Sequence, residues 1–371
     1  MEHVETIIVG AGQAGLATAY HLKRRGRACL VVDANQRVGD NWRRLWDSLR
    51  LYSPARYDAL PGLAFPAEKW SCPGKDEVAD YLEQYAAHHA LPVRLGVRVE
   101  RLSKDGDLFT LRTDQGTMTA DNVVVATGTF GRTPSIPDFA ADLDPGILQL
   151  HSSEYRRPGQ LADGPVLVVG ASHSGCDIAY EVAATRPTIL AGRDCGQIPY
   201  PIESRRAIVF WPALAFAWRH VLTRRTPMGR KEMAEIRFHG GPMLRVRRNH
   251  IKERGIDRRE ERVTGVEDGK PVLADGSVLD VATIVWCTGY RQEFGWIDLP
   301  VVGEDGWPTE FRGVVEDTPG LYFCGLSFQY SFSSMVLLGA GRDADHVAGH
   351  LDERMRGTGV GTPTSAATRA A

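Results

Sequence analysis

The stretch IIVGAGQAGLATA, Ile7–Ala19, decides the fold class. The unbroken apolar run that leads into it, TIIVG, reads as a parallel strand buried on both faces. Gly10, Gly12 and Gly15 follow in the pattern G-x-G-x-x-G. The first permits a tight turn, the second lets the backbone approach a pyrophosphate, and the third lets helix and strand pack closely. The next segment, LATAYHLKRRG, has helical periodicity and stops at Gly26. Its N-terminal amides and partial positive charge face the position an anion would take. ACLVVDA is the next buried strand, and Asp33 at its end can accept hydrogen bonds from both hydroxyls of a ribose. Together these pieces make a βαβ unit that binds a dinucleotide.

A weaker copy, VLVVGASHSGCDIA, spans Val166–Ala179. Gly170 and Gly175 are kept, but Ser172 replaces the middle glycine. The serine adds only a β-carbon and a hydroxyl, and that hydroxyl can donate to a phosphate oxygen, so an altered but working site is expected. The returning strand, TILAGR, puts Gly192 and Arg193 where a ribose-binding acid would otherwise stand. An arginine there pairs with the 2′-phosphate of NADP, which an acid would repel. One unit ending in an acid and one ending in an arginine imply two different dinucleotides, FAD first and NADPH second. The expected fold is therefore α/β, with two Rossmann-like dinucleotide-binding domains, the second inserted into the first. Residues 1–150 and 285–356 are assigned to FAD and 156–284 to NADPH. The Gly-, Thr-, Ala- and Ser-rich tail, 357–371, is expected to be disordered.

Composition narrows the function. The chain has 371 residues, 43% hydrophobic and 24% charged, as in an ordinary globular protein. A net charge of -2 argues against an obligate nucleic-acid binder. Cys29, Cys72, Cys176, Cys195, Cys287 and Cys324 lie far apart without a C-x-x-C pair, so neither a metal site nor a redox dithiol is signalled. The first turn begins too early to leave room for a secretory signal. The most apolar later stretch, AIVFWPALAFAW (Ala207–Trp218), is too short to span a bilayer and contains Pro212. No transmembrane segment and a cytoplasmic location are expected. Ser204–Glu261 is rich in arginine and lysine. It reads as a solvated helical face, with a surface for the nicotinamide phosphate or an acidic partner as the alternative.

From Val4 to about Leu351 the sequence resembles the class B flavin-containing monooxygenases, close to the plant YUCCA type and its bacterial relatives. Besides the two turns, the likeness rests on GDNWRRLWDSLRLYSPARYDALPGLAFP, on the helix PGKDEVADYLEQYA, and on the strands VVVATG and IVWCTGY. The family hallmark F-x-G-x-x-x-H-x-x-x-[FY] is half kept: His151 and Tyr155 are spaced correctly, while Pro145 and Ile147 stand at the Phe and Gly positions. Tyr155, rather than Trp, matches the ordinary monooxygenase signature and not the Baeyer–Villiger one. The resemblance implies that NADPH reduces FAD, that O2 adds at flavin C4a, and that the resulting (hydro)peroxide passes one oxygen atom to a small organic substrate. The cofactor carries the hard chemistry, so no triad or metal cluster is required.

The same likeness implies an FAD site of Gly10, Ala11, Gly12, Gln13, Ala14, Gly15, Asp33, Ala34, Asn41, Trp42, Arg43, Tyr52, Val99, Ala126, Thr127, Gly128, Gly325 and Leu326. For NADP it implies Gly170, Ser172, His173, Ser174, Gly175, Gly192, Arg193, Thr288, Gly289 and Tyr290. Tyr52 and His151 are the catalytic candidates, His151 with the alternative of a linker histidine between domains. Residues 198–231 are expected to shape substrate access. Trp70, Trp211, Trp218 and Tyr330 read as core aromatics or as lining of a substrate cavity, and Trp286 as packing. Three rival functions share much of this pattern: an NAD(P)H-dependent flavin reductase without oxygenation, a flavin oxidase with a decayed NADPH site, and a non-enzymatic flavoprotein. Neither the substrate nor the oligomeric state is written in motifs.

Overall fold

The computed structural model describes residues 2–129, 133–198, 202–238 and 240–357. The chain first forms β1 (Glu2–Val9), α1 (Gln13–Arg24), β2 (Leu30–Asp33), α2 (Lys75–His88), β3 (Val93–Leu95), β4 (Val99–Asp105), β5 (Leu108–Thr113) and β6 (Gly116–Val125). A second run follows with β7 (Leu148–His151), β8 (Val166–Val169), α3 (His173–Val182), β9 (Thr188–Ala191), α4 (Arg205–Phe216), α5 (Pro227–Phe238), β10 (Asp257–Arg259) and β11 (Thr283–Trp286). The C-terminal part then returns as β12 (Leu321–Phe323) and α6 (Leu337–Gly357).

The first sheet runs β3-β2-β1-β6-β5-β4, with β12 alongside the second half of β6. Its β3-β2-β1-β6-β12 portion is parallel, and β4 and β5 form an antiparallel meander on the first half of β6. The continuous apolar run of β1 is explained by burial on both faces. Ile8 joins Val31 and Val124 against α1, α2 and α6, while Ile7 and Val9 face Phe109, Leu111 and Ile297 on the other side. Each such fully buried aliphatic side chain contributes about 1.5–3 kcal/mol.

The second sheet, β10-β9-β8-β11-β7, is parallel throughout. Val166 and Val168 pack toward Cys176, Ile178 and Val182 of α3, and Leu167 and Val169 pack toward Leu279 and Trp286. Trp286 is fully buried, with its indole N–H on Gln149 Oε1 at 3.1 Å.

The register corrects the expected boundaries. Thr283–Trp286 pairs with Val166–Val169 and with Leu148–His151, so β7 and β11 both belong to the second sheet. The crossings therefore lie before residue 148 and after residue 286, outside the expected 150 and 285. The reason is that WCTG ends β11 beside β8 just as VATG ends β6 beside β1, each closing its own unit. Helix α6 continues to Gly357, and residues 358–371 of the expected tail lie outside the described residues.

The basic segment is only in part the solvated face expected from its composition. Arg224 is ion-paired with the buried Glu310, Arg237 donates to Ser327 O, Arg219 donates to Leu338 O, and Arg245 donates to the carbonyls of Arg50 and Leu51. These guanidiniums tie the inserted segment to the C-terminal part and to the loop after β2, because long-range carbonyls and acids supply what water would have supplied.

The turns rest on close backbone approach. Gly10 has φ +112°, and a β-carbon there would stand 2.5 Å from the Ala126 carbonyl oxygen. We predict that Gly10→Ala lowers stability by about 2–4 kcal/mol, from left-handed strain together with overpacking, as read by urea denaturation.

Candidate functional site

At the first turn the middle glycine is different from its neighbours. A β-carbon on Gly15 would lie 1.9 Å from Gly10 O, yet one on Gly12 would meet nothing within 4 Å. The backbone thus leaves open space in front of the α1 N-terminus, where a phosphate would meet unpaired amides. A small cleft opens there, lined by Gly12, Gln13, Asp33, Asn35, Asn41 and Trp42, among others. Asp33 closes the turn: its Oδ2 accepts Ala11 N–H at 2.6 Å, and its Oδ1 accepts both the backbone N–H and the side-chain amide of Asn35 at 2.8 Å. Ala14 is buried, and Ala34 is exposed just past Asp33. Val97 N–H donates to Asp33 O at 2.9 Å, which brings the start of β4, with Val99, beside the turn.

Arg43 does not stand free at this cleft. Its guanidinium is held by Val38 O at 2.6 Å, Asp80 at 2.7 Å and Glu83 at 3.0 Å, fastening the one-turn helix Asp40–Arg43 onto α2. Sequence reasoning missed Asn35 and Arg37, which also line the cleft. Their signal was the polar run ANQR directly after Asp33.

Beyond β6, Ala126 is buried, Thr127 is half-buried, and Gly128 has φ +76° with nothing near a β-carbon position. The C-terminal part meets this segment. Ser327 N–H donates to Thr129 Oγ1 at 2.7 Å, and Gln329, fully buried, accepts Gly325 N–H at 2.9 Å and Leu326 N–H at 3.4 Å. Phe328 between them holds φ +53°. For a bulky residue that is a strained value, of the kind found where surrounding contacts fix the backbone. Gln329 was not singled out from sequence. A lone Gln in SFQYSFSS carries no motif.

At the second turn Gly170 has φ +108° and would place a β-carbon 2.4 Å from Cys287 O, and Gly175 would place one 1.7 Å from Gly170 O. Its geometry repeats the first turn, but its front is covered. Ser172 Oγ donates to Gly241 O at 2.9 Å instead of facing open space. Gly240 packs on Ser172, and Gly241 packs on the His173 ring, both so closely that a β-carbon would stand 2.7 Å away. Burial pushes the His173 imidazole down to about 4, and it is hydrogen-bonded to Pro242 O. Gly240–Pro242 is thus a strap over the turn, anchored by the serine that replaced the glycine. It lies 69 residues downstream of Ser172, out of reach of a local motif.

Gly192, φ +131°, sits against Gly170, and Arg193 and Ser174 flank it on the surface and at the helix start. Arg258 donates to Gly192 O at 2.6 Å, a neighbouring cation that the spacing did not reveal.

The catalytic candidates turn out to be ties between the two units. Tyr52 donates its phenol to Asp177 Oδ2 of α3 at 2.8 Å, lies under the Arg245 guanidinium at 5.3 Å, and its ring centre is 5.2 Å from that of His173. Burial and the adjacent carboxylate raise its pKa well above the ordinary value. His151 is fully buried with both ring nitrogens engaged, Nδ1 with Ser153 Oγ at 2.8 Å and Nε2 with Gly289 O at 3.0 Å. Its ring also meets Tyr290 edge-on at 5.0 Å, and burial lowers its pKa. Thr288 donates to Ser135 O, so the two crossings are bonded to each other at this point. Tyr155 is buried, with its hydroxyl on Glu181 at 2.9 Å. Trp211 is buried against Tyr57, with Trp70 and Trp218 packed around it. Among the described residues no group of His, Cys, Asp or Glu is arranged to hold a metal, and all six cysteines are free thiols.

The family model described as pyridine nucleotide-disulphide oxidoreductase matches residues 7–192, and an uncharacterized CzcO-like oxidoreductase of Geobacillus kaustophilus is 35% identical over 94% of this chain and 98% of its own. The chain belongs to that oxidoreductase family. Within the family it is a class B flavin monooxygenase-like protein, a flavin-dependent oxidoreductase. Indole-3-pyruvate monooxygenase YUCCA1 of Oryza sativa is 29% identical to this flavin monooxygenase-like chain, covering 92% of it and 90% of the rice protein. A double-mutant flavin monooxygenase from Stenotrophomonas maltophilia superposes with a TM-score of 0.76 at 25% identity, covering 95% and 99% of the two chains. FAD and NADPH are the cofactors of this class. In the flavin monooxygenase-like chain the open space before Gly12 has room for a pyrophosphate, whereas the second turn is covered by Gly240–Pro242.

Two measurements test this geometry. Gly12→Ala is expected to keep the wild-type urea midpoint while lowering FAD affinity at least about tenfold, because its methyl group enters the open cradle and displaces the charge-assisted phosphate contacts. The second concerns Asp58, whose carboxyl is buried, accepts Ser53 Oγ–H at 2.6 Å on one oxygen and leaves the other unpartnered, and is pushed up to about 7 by burial. The folded chain then keeps this proton up to about pH 7, while the unfolded chain releases it near 4. Stability should therefore fall as pH rises through that window, by roughly 2–4 kcal/mol, and level off above it. Asp58→Asn is expected to remove this fall and to raise the melting midpoint at pH 8.

Proposed function

We propose that the chain is an NADPH-dependent FAD monooxygenase that inserts one atom of O2 into a small organic substrate. The observation that carries this reading is the pair of glycine turns with the same close-packed geometry, each opening a helix N-terminus beside its own parallel sheet. We assign FAD to the unit of residues 2–147 and 287–357, and NADPH to residues 148–286. Bound FAD would accept hydride and supply the C4a carbon at which O2 adds. The chain's residues bind, orient and shield. Gly10, Gly12, Gly15 and the α1 amides would hold the pyrophosphate, and Asp33, already bonded to the turn, would take the ribose. Thr129, Gly325 and Gln329 fix the backbone that would pass the ring. On the other side, Gly170, Ser172 and Gly175 would take the NADPH pyrophosphate, with the Ser172 hydroxyl exchanging Gly241 O for a phosphate oxygen. Arg193 would meet the 2′-phosphate. Tyr52 and His151 act as positioning residues, because each is bonded across the units.

A second reading is favoured by the strap itself. A flavin oxidase whose NADPH site stays closed would show Gly240–Pro242 seated on the turn in the same way. The free thiols suit a reducing compartment, and we place the protein in the cytoplasm. No helix among the described residues is long and apolar enough to cross a membrane.

The test is anaerobic mixing with NADPH followed by O2. The monooxygenase reading expects bleaching of the flavin absorbance by NADPH and, with an accepted amine, sulfide or carbonyl substrate, one oxygenated product per NADPH and O2 consumed. Flavin that NADPH does not bleach favours the oxidase. Stoichiometric hydrogen peroxide across all substrates favours a reductase. Arg193→Ala is expected to raise the KM for NADPH about tenfold with little change for NADH, the loss of one charge-assisted phosphate contact.

A further inference from the structure

The outward side of α4 is apolar. Ala207, Trp211 and Ala215 are buried on its inner side, over Tyr57 and Trp70. Val209, Pro212, Ala213 and Phe216, at positions i, i+3, i+4 and i+7, form a second apolar stripe that faces out. Val209 is 83% exposed and Phe216 60%. A helix that is apolar on both sides is one that something covers. The patch extends past the helix through Val221 to Met228, which is 61% exposed at the start of α5. Arg224 and Arg225 lie over the exposed Phe311 ring at 5.5 and 5.8 Å, and Arg230 donates to Arg225 O at 3.3 Å, so the basic turn that follows the stripe in the chain carries an exposed aromatic ring of its own. Among the described residues, seven of the eleven exposed large hydrophobic side chains fall between positions 208 and 238.

The charge of this segment is predominantly positive. Residues 204–238 hold eight arginines and lysines against two glutamates, in a chain whose net charge is -2. Arg225, Arg230 and Lys231 are exposed. We propose that this surface docks the protein on an anionic lipid bilayer, with the Val209–Phe216 stripe at the boundary of headgroups and acyl chains and the cations on lipid phosphates. A helix of this kind lies in the interface and does not span it. Charge selects this occupant over a second copy of the chain. A copy presenting the same face would bring two surfaces of like charge together, whereas anionic headgroups neutralise Arg225, Arg230 and Lys231. The inner side of α4 roofs the aromatic cluster of Tyr57, Trp70 and Trp211, so docking would put that roof at the bilayer, where apolar compounds concentrate.

The experiment is cosedimentation of the full-length flavoprotein with vesicles of pure phosphatidylglycerol or pure phosphatidylcholine. Binding is expected to phosphatidylglycerol, at least about tenfold stronger than to phosphatidylcholine, and to weaken as salt is raised. Val209→Asp with Phe216→Asp, and separately Arg230→Glu with Lys231→Glu, should each lower it about tenfold or more. Bound flavin content and the melting midpoint, matching wild type, establish that the variants are folded. Equal sedimentation with and without vesicles overturns the proposal. So does a concentration-dependent dimer, seen by light scattering, that Phe216→Asp dissolves while wild type ignores phosphatidylglycerol. NADPH oxidation measured without vesicles reports the proposed activity separately, so either idea can fail alone.

Discussion

In each half of this protein a glycine turn is pressed against the carbonyl that ends the adjacent strand, Gly10 on Ala126 and Gly170 on Cys287. A second glycine, Gly15 or Gly175, is pressed in turn against the first. There is no room for a methyl group at any of the four. Strand, turn and helix are therefore fixed to one another within each unit, and the helix N-terminus is aimed by packing and needs no side chain to aim it. The two sheets, the anion-facing amides and the strand ends that lead to the crossings all follow from those contacts.

What the sequence could reveal was whatever is local. Both βαβ units and the acid at Asp33 that closes the first turn were legible because residues within about thirty positions determine them. The unread part is long-range. Arg43 is held by the acids of α2, some forty positions on. Ser172 looked like a phosphate donor, and the carbonyl it meets belongs to Gly241. Tyr52 finds its partner 125 residues away, in the other unit. Periodicity also could not decide which sheet owns WCTG, because a buried apolar strand reads the same in either. The register alone placed it.

The inserted segment shows how charge can be structural. Arg219, Arg224, Arg237 and Arg245 each reach a carbonyl or a carboxylate outside the segment, and the Glu310 side chain that meets Arg224 is fully buried. Removing one member of such a buried pair leaves an uncompensated charge, at about 3–5 kcal/mol. A composition rich in arginine was thus a record of docking between parts of one chain, while the cations left over gather beside the exposed apolar stripe.

The two crossings between the units are not separate strings. Tyr290 and Arg291 pair with Pro134 and Thr133, Ser135 N–H donates to Gly289 O, and His151 clamps the same Gly289 carbonyl from the second sheet. Mechanically the two crossings are one two-ply ribbon. A pair of independent linkers would let one unit tilt, slide or twist against the other. With the crossings paired to each other, and with Tyr52, Arg224, Arg237 and Arg245 bridging the units elsewhere, a displacement at either linker is passed to the other and cannot be absorbed by one strand alone.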